Sequence, residues 1–181
     1  MSAAQDLPAL LAGLGITPAL LAGRALQVHE EAQELVLAER NTAGREFLLT
    51  PAAAAAWQAM QAAARADGLA LILLSAFRSV TRQTEIIRAK LAAGRSIAEI
   101  LEASAPPGFS EHHSGRAVDI GTPDHPELEI DFERTPAFAW LGRHAGRFGF
   151  QLSYPRDNAA GFVYEPWHWC FAAPATAQSM S

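Results

Sequence analysis

Residues 110–120 read SEHHSGRAVDI, a polar loop rich in histidine that runs directly into a short apolar stretch. The apolar residues predict a strand over 117–120. Successive side chains alternate across a strand, so Asp119 is expected to point away from the core that Val118 and Ile120 face. This segment therefore predicts a carboxylate presented opposite a buried sheet face, just after two histidines.

A second polar cluster, EPWHW, lies at residues 165–169. If the apolar residues of the strand that follows face the core, His168 and Cys170 share the opposite face. Pro166 is expected to interrupt strand pairing just before His168. The resulting kink can turn Glu165 toward the same side, so the cluster offers an imidazole and a further carboxylate.

The two clusters together have the residue types of a catalytic zinc site. Such a site uses three protein ligands, commonly histidines with a carboxylate, and keeps a fourth position for water. His112 and His113 are adjacent in the loop and their side chains are expected to diverge, so only one of them is predicted to be a ligand. The lone cysteine, Cys170, is expected to pack without binding metal.

The rest of the chain mixes helices and strands without regular alternation of strand, helix and strand. This order predicts an α+β fold with a single domain. Thr50 and Pro51 are expected to start a helix, and Ser96 with Glu99 has the capping-box spacing. The predicted helices cover residues 51–66, 81–93, 97–103 and 135–148. The predicted strands cover 34–39, 45–50, 69–74, 117–120, 149–154 and 162–171, and the first two form a hairpin through a turn at Asn41-Thr42-Ala43-Gly44.

Composition limits the classes of protein that fit. The chain has 181 residues, of which 50% are hydrophobic and 18% charged, as in an ordinary globular domain. A net charge of −5 argues against a nucleic-acid partner. No segment approaches the roughly 18 uninterrupted apolar residues of a membrane helix. No secretory signal is recognisable, so we expect a cytoplasmic protein if this is the native start and a periplasmic one if a signal was removed.

With these motifs in this order, the sequence resembles the VanY-type D-alanyl-D-alanine carboxypeptidases. These belong to the group of zinc peptidases that also includes lysostaphin and hedgehog domains. The resemblance covers residues 52–171. It is carried by SAFRS at 75–79 with Gln83, SEHHSGRAVD at 110–119, FGFQLSYP at 148–155 and EPWHW at 165–169.

The resemblance implies a role for each site residue. His112, Asp119 and His168 would bind Zn²⁺, and Glu165 would be the catalytic base. Arg78 would polarise the scissile carbonyl and stabilise the oxyanion. The end of the substrate would be held by Ser110 and Gln83.

The resemblance also implies a fold, a domain organisation and a reaction. The fold would be a small antiparallel sheet flanked by helices, as in hedgehog and D-Ala-D-Ala peptidases. The resemblance places the zinc carboxypeptidase domain at 51–172, and the residues outside it predict an accessory segment with a hairpin at 1–50 and a flexible tail at 173–181. The enzyme would remove the terminal D-alanine of peptidoglycan stem peptides or recycled muropeptides, with DD- or LD-specificity left open.

Two other functions stay open at this level. A muropeptide-binding module could keep the zinc fold without catalysis, although the presence of Glu165 counts against it. A cell-wall endopeptidase would need an open-ended cleft. Whether the connection over residues 121–134 closes one end of the site is not visible in the sequence.

Overall fold

The computed structural model of the protein describes residues 6–172, so the tail predicted at 173–181 lies outside the described residues. Within that range the chain forms six α-helices, six strands and three short 3-10 helices. The α-helices are α1 (Leu7–Gly13), α2 (Pro18–Leu21), α3 (Pro51–Ala66), α4 (Val80–Ala92), α5 (Ile97–Ala103) and α6 (Pro136–His144). The strands are β1 (Val36–Arg40), β2 (Glu46–Leu49), β3 (Ile72–Ser75), β4 (Ala117–Gly121), β5 (Phe150–Leu152) and β6 (His168–Phe171). The 3-10 helices are Glu111–Ser114, Ile130–Arg134 and Ala145–Phe148.

The centre of the fold is a four-stranded antiparallel sheet with the order β3-β4-β6-β5. The predicted α+β class, with a small antiparallel sheet flanked by helices, is confirmed. In the register of the two central strands, Asp119 of β4 lies directly opposite His168 of β6. Ser75 of β3 pairs with Asp119 from the other side. Three adjacent strands therefore bring polar residues to one place on the sheet.

The opposite face of the sheet packs into the main core. Val118 and Ile120 are fully buried there together with Trp169, next to Trp57 and other apolar residues of α3. This is the alternation predicted for β4, and it leaves Asp119 on the face away from α3.

The N-terminal hairpin of β1 and β2 is part of this core. The Asn41 side chain accepts hydrogen bonds from the backbone N–H groups of Ala43 and Arg45, which closes the predicted turn. Phe47 and Leu49 of β2 pack into the main cluster.

None of the helices described combines enough length and apolar character to cross a bilayer.

Several predicted boundaries differ from those of the structure. The strand predicted at 69–74 starts only at Ile72, because the Leu69 N–H bonds to the Ala64 carbonyl and caps α3. The helix predicted at 135–148 ends at His144 and continues as a 3-10 turn.

The strand predicted at 162–171 is confined to β6. The preceding residues form a loop in which the Asn158 side chain bonds to the backbone of Pro155 and Phe162. A turn at Pro166 then leads into the strand.

Candidate metal centre and active site

Three buried side chains meet on the open face of the central strands. His112 lies in the 3-10 helix before β4, Asp119 in β4 and His168 in β6. His112 Nε2 is 3.3 Å from one Asp119 carboxylate oxygen, and His168 Nδ1 is 3.0 Å from the other. One ligand atom from each of the three residues lies within 4.8 Å of the others.

Hydrogen bonds behind each imidazole fix which nitrogen faces the cluster. His112 Nδ1 is 2.7 Å from the Ala76 carbonyl oxygen, so this nitrogen carries the proton and Nε2 presents its lone pair. His168 Nε2 is 2.9 Å from Glu111 Oε2, so Nε2–H donates to Glu111 and Nδ1 is the ring nitrogen that faces Asp119. Carbonyl and carboxylate partners of this kind are typical behind metal-binding histidines.

His113 is held away from the cluster. Its Nδ1 donates to the Arg78 carbonyl at 2.6 Å, and its Nε2 accepts the Gly108 N–H at 3.1 Å. Both ring nitrogens are therefore bonded to backbone. The choice between His112 and His113 left open by the sequence falls on His112.

The donor set and its spacing fit a zinc ion. Two imidazole nitrogens and one carboxylate make the three-ligand set of a catalytic zinc site. Two ligands at the usual zinc distance of about 2.1 Å in a tetrahedron are about 3.4 Å apart. The 3.0 and 3.3 Å separations between Asp119 and the two imidazoles are close to that value.

The histidines of the cluster lower the pKa values of the two carboxylates that contact them. Burial alone would raise the pKa of Asp119, but the neighbouring imidazoles of His112 and His168 hold it well below its usual range. Burial would likewise raise the pKa of Glu111, yet its hydrogen bond with His168 lowers it to about 2. Both carboxylates are thus ionised at neutral pH.

Glu165 stands beside the cluster without being part of it. Its Oε2 is 3.8 Å from His168 Nδ1, and its side chain lines a cavity that the three residues of the cluster also line. The His168 N–H bonds to the Glu165 carbonyl, so the turn at Pro166 brings the two side chains together. Burial raises the pKa of Glu165 to about 7, which suits a group that exchanges protons near neutral pH.

Arg78 approaches the cluster from the segment after β3. Its Nη1 donates to Gln83 Oε1 at 2.8 Å and its Nη2 to Ser75 Oγ at 3.0 Å, and Nη2 is 3.9 Å from an Asp119 oxygen. These bonds direct the guanidinium toward the cluster of His112, Asp119 and His168.

Gln83 lies behind Arg78 and is only 1% exposed. Its Nε2 donates to the Ala105 carbonyl at 2.7 Å, and its Oε1 is taken by Arg78. The structure thus places Gln83 against Arg78, whereas Ser110 lines the cavity. A contact between Gln83 and substrate stays a prediction.

These groups line one cavity of about 250 Å³. Its lining includes the three residues of the cluster, His112, Asp119 and His168, together with Glu165, Arg78 and Ser110. The wall contains further residues that sequence reasoning did not assign to the site: Ile86, Lys90, Ser104, Leu128, Tyr154, Phe162 and Trp167.

Two unpredicted residues contact His168 directly. Glu111 bonds to its Nε2 and also accepts a hydrogen bond from Ser153 Oγ at 2.6 Å. The Tyr154 ring lies 4.6 Å from the His168 ring, centroid to centroid. Glu111 precedes His112 in the quoted motif and Tyr154 lies in the run 148–155, so position in a motif was the only available signal for either.

Comparison with known proteins matches most of the chain to one family. The sequence model described as VanY, D-alanyl-D-alanine carboxypeptidase, matches residues 46–174. A D-alanyl-D-alanine carboxypeptidase of Enterococcus faecalis is 36% identical over 117 residues, which are 59% of this chain and 42% of that protein. The chain therefore spans less than half the length of this curated relative.

Solved structures with the same fold have related activities in their names. The LD-carboxypeptidase LdcB superposes with a TM-score of 0.70 at 30% identity, over 84% of this chain and 76% of that one. A mutant of the vancomycin-resistance D,D-pentapeptidase VanY, solved in complex with Zn(II), superposes with a TM-score of 0.59 at 30% identity, over 80% of each chain.

Proposed function

The chain belongs to the VanY family of D-alanyl-D-alanine carboxypeptidases, and from that premise we propose that it is a zinc-dependent carboxypeptidase acting on peptidoglycan peptides. The substrate would be a stem peptide or recycled muropeptide that ends in D-alanine. His112, Asp119 and His168 would hold the Zn²⁺, and Glu165 and Arg78 would be the catalytic residues.

One observation carries this proposal: five side chains of the required chemistry open into one cavity. The three proposed zinc ligands, Glu165 and Arg78 all line that cavity. The zinc-bound structure named above gives independent support, because a family member of the same fold holds that metal.

The residues suggest how the peptide bond would be hydrolysed. A zinc ion in this site would polarise both a water molecule and the scissile carbonyl. Glu165, whose pKa burial raises to about 7, would accept the proton of the attacking water and pass it to the leaving amine. Arg78, fixed by Gln83 and Ser75, would stabilise the negative oxygen that develops on the carbonyl carbon.

Two specificities are candidates for the residue before the scissile bond: an L-residue, as in an LD-carboxypeptidase, or a D-residue, as in a DD-carboxypeptidase. LdcB is named an LD-carboxypeptidase and the VanY neighbour a D,D-pentapeptidase, and both are 30% identical to this chain. An LD-enzyme would shorten tetrapeptides to tripeptides. A DD-enzyme would shorten pentapeptides to tetrapeptides.

The decisive experiment is a product assay. Zinc-loaded protein is incubated with purified tri-, tetra- and pentapeptide stems, and the products are weighed by mass spectrometry. The proposal expects loss of one alanine from the tetra- or the pentapeptide and no change in the tripeptide. Glu165→Gln is the matched control and should yield no product.

Other outcomes of the same assay would favour the alternatives. Absence of product from every stem would favour a binding module, and an internal cut would favour an endopeptidase. Leu128, from the connection between β4 and α6, lines the cavity, so that connection reaches the site and supports an exopeptidase.

A further inference from the structure

The chain has a single lysine, and it lines the candidate active site. Lys90 is the one lysine of the 181 residues, against 13 arginines. It lies in the last turn of α4, and its Nζ donates to Ser104 Oγ at 2.5 Å. Both side chains line the cavity that is also lined by Arg78, Ser110 and the three proposed zinc ligands.

No carboxylate of the described residues lies within ion-pair distance of the Lys90 ammonium. The side chain is half-buried, and burial together with Arg95 and Arg78 lowers the pKa of the amine, against a smaller opposing effect of the Glu165 carboxylate. A partly buried charge without a partner is costly, and an anion bound in the cavity would offset that cost.

The other cation of the cavity is already directed elsewhere. Arg78 is held by Ser75 and Gln83, and its Nη2 lies 3.9 Å from an oxygen of the proposed zinc ligand Asp119. An exopeptidase must recognise two negative groups, the oxyanion that forms at the scissile carbonyl and the carboxylate that marks the end of the chain. With Arg78 facing the first, a second cation is available for the other.

We propose that Lys90, flanked by Ser104 and Ser110, binds the terminal carboxylate of the substrate and so restricts the enzyme to chain ends. This inference rests on the proposed carboxypeptidase function. An ammonium has three N–H donors, and one is used by Ser104, which leaves two for a carboxylate. The other 13 of the 14 lysine and arginine residues are arginine, including Arg78 of the same cavity, so Lys90 supplies the one compact side-chain ammonium of the chain.

The test compares a free and a blocked chain end. The kcat/KM of zinc-loaded protein is measured on a D-alanine-terminated stem peptide and on the same peptide as its C-terminal carboxamide. Wild type should prefer the carboxylate, and Lys90→Met should lose about 10- to 100-fold on the carboxylate while changing little on the carboxamide. Lys90→Arg should retain part of the preference. Arg88→Met, which removes an exposed cation from the same helix, should behave as wild type.

A structural role for the bond between Lys90 and Ser104 would give a different result. Lys90→Met would then lower the rates on both peptides by the same factor, and the proposal would be overturned. If wild type cleaves both peptides equally well, the carboxylate site is refuted while the hydrolase stands. If wild type cleaves neither, the proposed function itself fails.

A second substrate pair identifies which carboxylate is bound. Stem peptides with and without a side-chain carboxylate on the third residue are compared, and a terminal-carboxylate site predicts the same Lys90→Met loss on both. A loss confined to the peptide with the side-chain carboxylate would contradict the assignment.

Should Lys90→Met not fold, the single lysine can be observed directly. Biosynthetic ¹³C labelling at Cε gives one lysine side-chain NMR signal from the unaltered protein. The signal should move when D-alanine is added and stay in place with D-alaninamide. A signal that responds to neither would overturn the proposal.

Discussion

The His168 imidazole donates from Nε2 to the Glu111 carboxylate over 2.9 Å, although 57 residues separate the two along the chain. The same carboxylate accepts a hydrogen bond from Ser153. Glu111 is thereby fixed behind His168, on the side away from the proposed metal. It holds the ring so that Nδ1 faces Asp119.

The first prediction concerns this bond. Glu111→Ala should weaken zinc binding by about 10- to 100-fold, because the ring of His168 loses the partner that fixes its orientation and raises its basicity. Zinc affinity is measured by competition with a chelating dye, independently of activity. Glu85→Ala, which removes an exposed carboxylate from α4, is the control. Unchanged zinc affinity in Glu111→Ala would show that the contact has no positioning role.

The second prediction separates metal binding from chemistry. Glu165→Gln should keep one zinc per chain and lose at least about 100-fold in kcat, since the glutamine amide cannot accept the proton of the attacking water. Zinc content by atomic emission and kcat on the preferred stem peptide are the two readouts. An active Glu165→Gln protein would remove Glu165 from the role of base.

The third prediction is a pH dependence. Glu165 acts as a base only when ionised, and burial raises its pKa to about 7 in the metal-free protein. A bound dication nearby stabilises the carboxylate and lowers that pKa. The rate constant kcat/KM should therefore rise with pH along an acidic limb centred at or below about pH 7.

The measurement is a kcat/KM profile from pH 4.5 to 9 at saturating zinc. Activity that instead falls as the pH rises from 5 to 7 would mean that the essential group works protonated.

The fourth prediction concerns Arg78. Arg78→Met should lower kcat by about 100- to 1,000-fold, because a charged donor aimed at the oxyanion is lost. KM should change less than kcat. Arg82→Met removes an exposed arginine of α4 and serves as the control. An equal effect of the two substitutions would argue against a catalytic role for Arg78.

Gln83 gives a related expectation. Gln83→Met removes the acceptor of Arg78 Nη1 from a fully buried position. A positioning role predicts a fall in kcat smaller than that of Arg78→Met. A change mainly in KM would instead support the direct substrate contact implied by the family resemblance.

The alternation along the strands could be read from the sequence because it depends on local periodicity. Val118 and Ile120 flank Asp119, and this pattern alone assigns the faces of β4. The capping box of Ser96 and Glu99 and the turn around Asn41 are equally local, and both form as predicted. Contacts of this kind involve residues a few positions apart.

The missed features depend on contacts between distant segments. The bond from His168 to Glu111 forms only when β6 packs beside the 3-10 helix Glu111–Ser114. The bond from Lys90 to Ser104 forms only when α4 packs beside the end of α5. The two ends of the Gln83 amide bond to Arg78 and to the Ala105 carbonyl, and the sequence did not indicate either contact. Sequence spacing identified which residue types gather at the site but not which of them face one another.

A crystal structure of the zinc-loaded protein, with anomalous data collected at the zinc edge, tests the central claim most directly. The account predicts one zinc per chain, about 2.0–2.2 Å from His112 Nε2, an Asp119 oxygen and His168 Nδ1, with Glu165 beside it and unbound. Zinc bound elsewhere, or a site in which any of those three side chains turns away from the metal, would contradict it.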